Sequence, residues 1–302
     1  MSADAVLLLA FGGPTRPEEI RPFLENVVRG RRIPPERLDA VAHHYHLIGG
    51  RSPLNELTFR QAEALRRTLG RPPVYVGMRN WSPSIADALT TMLANGVHEA
   101  VGIVLSPFAC EASRERYTSA VAEAQAALGP RAPRLRWVPS WHVHPGFVTA
   151  MAARIAAALD TVPAARRAGA LVVFTNHSIP TAMAETSPYV AEFTAAAAAA
   201  AARAGHARWT VAYQSRSGSP HDPWLEPDVN ALLATLPAEG VRDVVLAPIG
   251  FICDHVEVLY DLDVEARQTA TALGLECVRA GTVADHPAFI AMLAELVRAE
   301  TG

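Results

Sequence analysis

Short apolar runs of four to six residues recur along the chain at 6–11, 74–78, 101–105, 135–138, 171–175, 209–214, 244–249 and 275–279. Each stops at Gly, Pro or a small polar residue. Between them lie segments of helical period at 53–69, 84–95, 113–128 and 227–236. Runs this short and this uniformly apolar read as strands covered on both faces, and strands alternating with helices build a parallel sheet. Two sets of four predict an α/β protein of two similar Rossmann-like halves, each a four-stranded parallel sheet flanked by helices. The halves are residues 1–158 and 159–285, joined through a helix over 144–159 and a break at 161–163, with a last helix at 286–302 free to pack back on the first half. No residue-level repeat relates the two.

In open parallel sheets, ligands bind beyond the carboxyl ends of the strands. The residues just past each run include Phe11, Gly12 and Gly13, then Arg79 and Trp81, Trp141, His177, Gln214 and Ser215, and Gly250 with Phe251. Aromatics, an imidazole and small residues on one edge suit a large flat ligand with polar trimming. Dinucleotide binding is the ordinary alternative for such a fold. No G-x-G-x-x-G follows any run and no P-loop is present, which weakens that reading.

One stretch carries an unusual charge pattern. After the apolar run 244–249, residues 251–265 turn into a helix with Glu257, Asp261 and Glu265 four apart. Four-residue spacing drifts only about 40° per step, so the acids form one ridge roughly 12 Å long. Like charges so placed repel by a few tenths of a kcal/mol per pair. No Lys or Arg occurs between 243 and 266 to relieve them. A visiting cation would; a solvated helix face is the plainer account.

Composition narrows the class. The 27 basic residues are all arginine, and a net charge of −3 gives no general pull toward nucleic acid or anionic lipid. Cys110, Cys253 and Cys277 are far apart and form no CxxC or Cys/His ligand pair, which fits a reducing cytoplasm without disulfides or zinc. No apolar run approaches the length of a membrane span, the amino terminus lacks a signal-peptide pattern, and nothing demands more than a monomer.

Other candidates stand beside bland readings. His177 follows a strand-like run and can accept a proton or ligate a metal; equally, such a histidine is often a hydrogen-bonded loop residue. His255, two before Glu257, has packing as an equal alternative. His43, His44 and His46 lack a neighbouring carboxylate and read as surface residues. The loop at 29–34 places Arg29, Arg31 and Arg32 together, either a solvated turn or a clamp for carboxylates. Ser52 and Pro53 read as the N-cap and first residue of the helix that follows. Trp224, between Pro223 and Pro227, reads as a fixed wall.

Several of these stretches coincide with motifs of one family. They are 8–14, 29–31, 45–55 (YHLIGGRSPLN), 175–180, 214–216, 222–225 and above all 250–263, a G-F-x-x-D-H-x-E-x-L-Y-D-x-D string. Over nearly its whole length the chain resembles the ferrochelatases, which insert ferrous iron into a porphyrin. The pattern is similar to the actinobacterial branch, which uses coproporphyrin III rather than protoporphyrin IX. The resemblance implies a chelatase-type fold with a porphyrin cleft between the halves and His177 and Glu257 as the catalytic pair, one over each face of the macrocycle. It implies metal contacts from His177, Glu257, Asp261 and Glu265. Porphyrin contacts are implied for Phe11, Arg29, Arg31, Ile48, Ser52, Arg79, Tyr117 and Trp224. Ferrous iron is then a substrate, no organic cofactor is implied, and haem biosynthesis in the cytoplasm is the setting.

Two positions depart from the family pattern. Phe11 stands where some relatives have a metal-side tyrosine, and Asn176 where alanine is expected before the histidine. Some actinobacterial members hold an iron–sulfur cluster on C-terminal cysteines; no cysteine follows Cys277, so none is expected. Alternatives are a protoporphyrin IX enzyme, a cobalt or nickel chelatase, and, in another class, a tetrapyrrole carrier without catalysis.

Overall fold

The computed structural model describes residues 3–30, 33–217 and 222–301. The strands are β1 (Ala5–Ala10), β2 (Val74–Met78), β3 (Glu99–Val104), β4 (Arg134–Trp137), β5 (Leu171–His177), β6 (Trp209–Gln214), β7 (Asp243–Ala247) and β8 (Glu276–Arg279). β1 and β7 are buried along their whole lengths, as continuous apolar runs in a doubly covered parallel sheet must be. β4 and β8 lie at sheet edges and are correspondingly more exposed. All pairings are parallel, and the sheets run β2-β1-β3-β4 and β6-β5-β7-β8.

The chain separates into two compact units. One holds residues up to Ser106, then Ala112–Ser140 and the last helix from Phe289; the other holds Pro107–Glu111 and Trp141–Ala288. Helix Pro145–Leu159, expected in the first half, belongs to the second unit, because its apolar residues pack on helix Tyr189–Arg203 and on β7. In the first unit Leu7, Leu9, Ile85, Leu89 and Met92 share a core. Its last helix is tied down by Arg298, which donates to the Thr68 carbonyl at 3.2 Å.

In the second unit Val173, Val244 and Leu246 of the sheet pack with Val258, Leu262 and Ala266. The last three lie four residues apart and are at most 1% exposed. Anchoring that stripe in the core turns the preceding positions, Glu257, Asp261 and Glu265, together to one side. The segment is not one regular α-helix, as the sequence pattern predicts. A short α-helix, Val256–Leu259, passes into a π-helical turn over Asp261–Ala266 and then into helix Arg267–Ala272. The extra residue in the turn shows in the Glu265 N–H, which donates to the Tyr260 carbonyl five back at 2.9 Å.

The chain leaves β5, crosses to β6 on one side and then to β7 on the other. The topological switch therefore lies between β5 and β7, where such sheets open a crevice at their carboxyl ends.

Candidate active site

His177 is the last residue of β5, and Glu257 lies in the first turn of the helix Val256–Leu259 that follows β7. Adjacent strands thus carry both to the switch point of one sheet. His177 Nε2 lies 3.6 Å from Glu257 Oε1, with the side chains 27% and 38% exposed. This corrects one expectation. Groups on opposite faces of a flat ring need about 7 Å between them, two van der Waals contacts of roughly 3.5 Å. At 3.6 Å no ring fits between them, so they do not face one another across a macrocycle.

Each partner is held. His177 Nδ1 is hydrogen-bonded to the Ser178 carbonyl, so Nδ1 carries its proton and Nε2 faces the carboxylate. Glu257 N–H donates to His255 Nδ1 at 3.2 Å, a side-chain cap of the short helix. The Glu257 carbonyl accepts from Gln214 Nε2 at 2.7 Å. His255 packs edge-on to Phe251, ring centres 4.9 Å apart. Burial works against charge on His177, yet the Glu257 carboxylate and the hydrogen bonds outweigh it, and the imidazole pKa is raised. Burial pushes Glu257 the other way, and the two histidines hold it below the usual carboxylate range. Burial lowers His255, leaving it neutral. Each member of the pair thus favours the charged form of the other.

The acidic ridge runs outward from this pair. Ser215, at φ 62° just past β6, donates its hydroxyl to Asp261. Burial, with Glu257 and Glu265 nearby, raises the Asp261 carboxyl to about 7. Glu265 is exposed and accepts from Asn230 Nδ2 at 3.2 Å. The two other acids here are neutralised by an arginine from β8, which the local sequence does not reveal. Arg279 donates to Asp263 at 2.8 and 2.9 Å and to Asp254 at 3.2 Å, and Thr282 adds a hydrogen bond to Asp254. The ridge acids are the ones left to neutral donors and imidazoles. Among the described residues no three His, Cys, Asp or Glu side chains form a metal cage, at this site or at His43, His44 and His46.

Trp224 is half-buried in the same unit. Its loop lies along the residues after His177, with Leu225 N–H donating to Ile179 O and Thr181 N–H to Pro223 O, both at 3.0 Å. Its indole nitrogen is buried without a hydrogen-bond partner.

The first unit holds the remaining candidates. Phe11 is 37% exposed, and the Arg79 guanidinium lies 5.1 Å from its ring centre and 5.0 Å from that of Tyr117. Tyr117 is buried, so a guanidinium between two π-faces, not a free phenol, is what this cluster offers. Ile48 is half-buried, and Arg29 is exposed and bonded to Asn26. Ser52 is buried against Gly13, where a Cβ would come within 2.8 Å of it. The helix begins at Leu54, one residue later than expected, and Ser52 Oγ accepts from the Leu54 N–H at 3.3 Å. Arg31 and Arg32 lie outside the described residues.

A ferrochelatase family model matches residues 3–301. The coproporphyrin III ferrochelatase of Mycobacterium ulcerans is 47% identical over 285 residues, covering 93% of this chain and 82% of that protein. That of Streptomyces griseus is 44% identical over 316 residues, covering 97% and 84%. Among solved structures, the sirohydrochlorin chelatase SirB from Bacillus subtilis subspecies spizizenii superposes with a TM-score of 0.61 at 12% identity, over 98% of this chain and 94% of that one, a likeness of fold. With a family match over almost every residue, this chain belongs to the ferrochelatase family.

Proposed function

We propose that this protein inserts ferrous iron into coproporphyrin III, giving coprohaem, in the cytoplasm. The observation that carries the reading is the closely apposed His177–Glu257 pair, 3.6 Å apart beside an acidic ridge, in a chain whose relatives at 47% and 44% identity are coproporphyrin III ferrochelatases. Ferrous iron is a substrate.

Metallation requires that iron shed water, that two pyrrole protons leave, and that the ring pucker to aim its nitrogens at the metal. His177 and Glu257 act as one proton-accepting unit on one side of the ring. Glu257, held below the usual carboxylate range, is the ready base, and His177 Nε2 can hold a metal only in its unprotonated form. Asp261 and Glu265 lead the ion toward the pair, since carboxylates left without an arginine partner attract a divalent cation. Phe11, Ile48 and Trp224 are the apolar ring contacts, with buried Tyr117 backing Arg79, and gripping a puckered ring better than a flat one is how they would speed the step. Arg29, Arg31 and Arg79 are the carboxylate partners, with Ser52 supporting the loop that carries Gly13. Coproporphyrin offers four propionates to such an arginine-rich set.

No iron–sulfur cluster or organic cofactor enters this reading.

The test is loss of porphyrin fluorescence under anaerobic Fe²⁺, with coproporphyrin III and protoporphyrin IX side by side. Faster loss with coproporphyrin is expected. Preference for protoporphyrin would reassign the substrate, and preference for cobalt or nickel in a competition assay would reassign the metal. Binding without insertion of any metal would make the protein a carrier.

A further inference from the structure

His177 sits where its strand has lost a neighbour. β5 pairs with β7 only as far as Phe174 opposite Ala247, but pairs with β6 through His177 opposite Gln214. Alternate residues of a strand aim their main-chain N–H and C=O at the same neighbour. Ser178 N–H goes to β6, donating to the Gln214 carbonyl, and Thr175 C=O goes to the β7 side, accepting from Gly250 N–H. The N–H and C=O of His177 therefore point to the side that β7 has vacated.

Two side chains take the place of the missing strand. The His177 N–H donates to Asn176 Oδ1 at 2.9 Å, and the His177 carbonyl accepts from the Tyr189 hydroxyl at 2.9 Å. That hydroxyl also lies 2.8 Å from Asn176 Oδ1, closing a small network around the main chain of one residue. Asn176 is 2% exposed and Tyr189 5%. The asparagine also locks against the start of the loop that leads to Glu257. A Cβ on Gly250 would fall 2.1 Å from Asn176 Oδ1 and 2.8 Å from its Cα, so this approach admits only glycine. The amide nitrogen of Asn176 is buried with no hydrogen-bond partner, a cost that alanine would avoid.

We propose that Asn176 and Tyr189 are positioning residues that hold His177 in register with Glu257 by replacing its absent ladder partners. The inference rests on the functional reading of His177, but its geometric part is measurable without turnover. The experiment compares Asn176→Ala and Tyr189→Phe with wild type and with Thr175→Val. Thr175 is fully buried one residue away, and its hydroxyl makes no hydrogen bond, so the valine variant is a matched control. Two readouts are taken: hydrogen exchange of the His177 amide in the metal-free protein, and kcat and KM for iron insertion.

The expected result is His177 exchange faster by at least about tenfold in Asn176→Ala, as its N–H loses a buried acceptor. In both Asn176→Ala and Tyr189→Phe, kcat falls roughly tenfold at unchanged porphyrin KM, with Thr175→Val like wild type in both readouts. Because the two side chains serve one residue and touch each other, the double variant loses less than the product of the single losses. His177 exchange unchanged in Asn176→Ala would overturn the geometric proposal. Faster exchange with wild-type kcat would overturn its consequence for the reaction. Should wild type insert no iron, the exchange data still decide the geometry, while the functional reading fails separately.

Discussion

The imidazole of His177 and the carboxylate of Glu257 are immediate neighbours, 3.6 Å apart, delivered by adjacent strands of one sheet. They form one acid–base unit, and each shifts the other toward its charged form. In the metal-free protein His177 should therefore stay protonated above its ordinary 6.5. Replacing Glu257 by Gln removes the opposing charge and leaves burial unbalanced, so the midpoint should drop below the ordinary value. NMR titration of the His177 ring measures both. A midpoint unmoved by Glu257→Gln would mean the two do not interact.

The ridge makes a separate prediction. Asp261 titrates near 7, so its charge is lost as pH falls through neutrality. The iron KM should rise as pH drops below 7. In Asp261→Asn with Glu265→Gln, the KM should stand roughly tenfold higher, the loss of about 1.4 kcal/mol of attraction, while kcat changes far less. Initial rates against Fe²⁺ at several pH values check this; an unchanged iron dependence returns the two acids to an ordinary solvated face.

Arg279 bears on stability rather than on the ion path. Its side chain is 13% exposed and joins Asp254 and Asp263, which are 26% and 24% exposed. Arg279→Met leaves two partly buried carboxylates without their cation, and should destabilise by about 2–3 kcal/mol, somewhat less than for a fully buried pair. Urea unfolding reads the change directly. Iron KM should shift less here than in the ridge variant.

What the linear pattern revealed and what it hid follow from the range of the interactions. β2 and β6 fall on the predicted residues because apolar runs bounded by turn residues are local signals. Their alternation with helices sufficed for two parallel sheets. His177 stood out because strand ends collect ligands, and Glu257 because uncompensated acids at helical spacing are uncommon. Their shared side could not be read, since it depends on β5 and β7 being sheet neighbours although β6 lies between them in the chain. The π turn was hidden because period counting assumes a regular α-helix. Arg279 and Tyr189 were missed because nothing near them in sequence names Asp263 or the His177 carbonyl as partner. Asn176 was visible as an oddity, but its acceptor role at a main-chain N–H emerges only where β7 departs.

The most direct measurement is single-turnover iron insertion into coproporphyrin III by wild type, His177→Ala and Glu257→Gln, with porphyrin affinity measured in parallel. Each substitution should slow insertion by roughly 10²–10⁴-fold, the usual range for removing a positioned proton-transfer group, with binding retained. Wild-type rates in either variant would contradict the account.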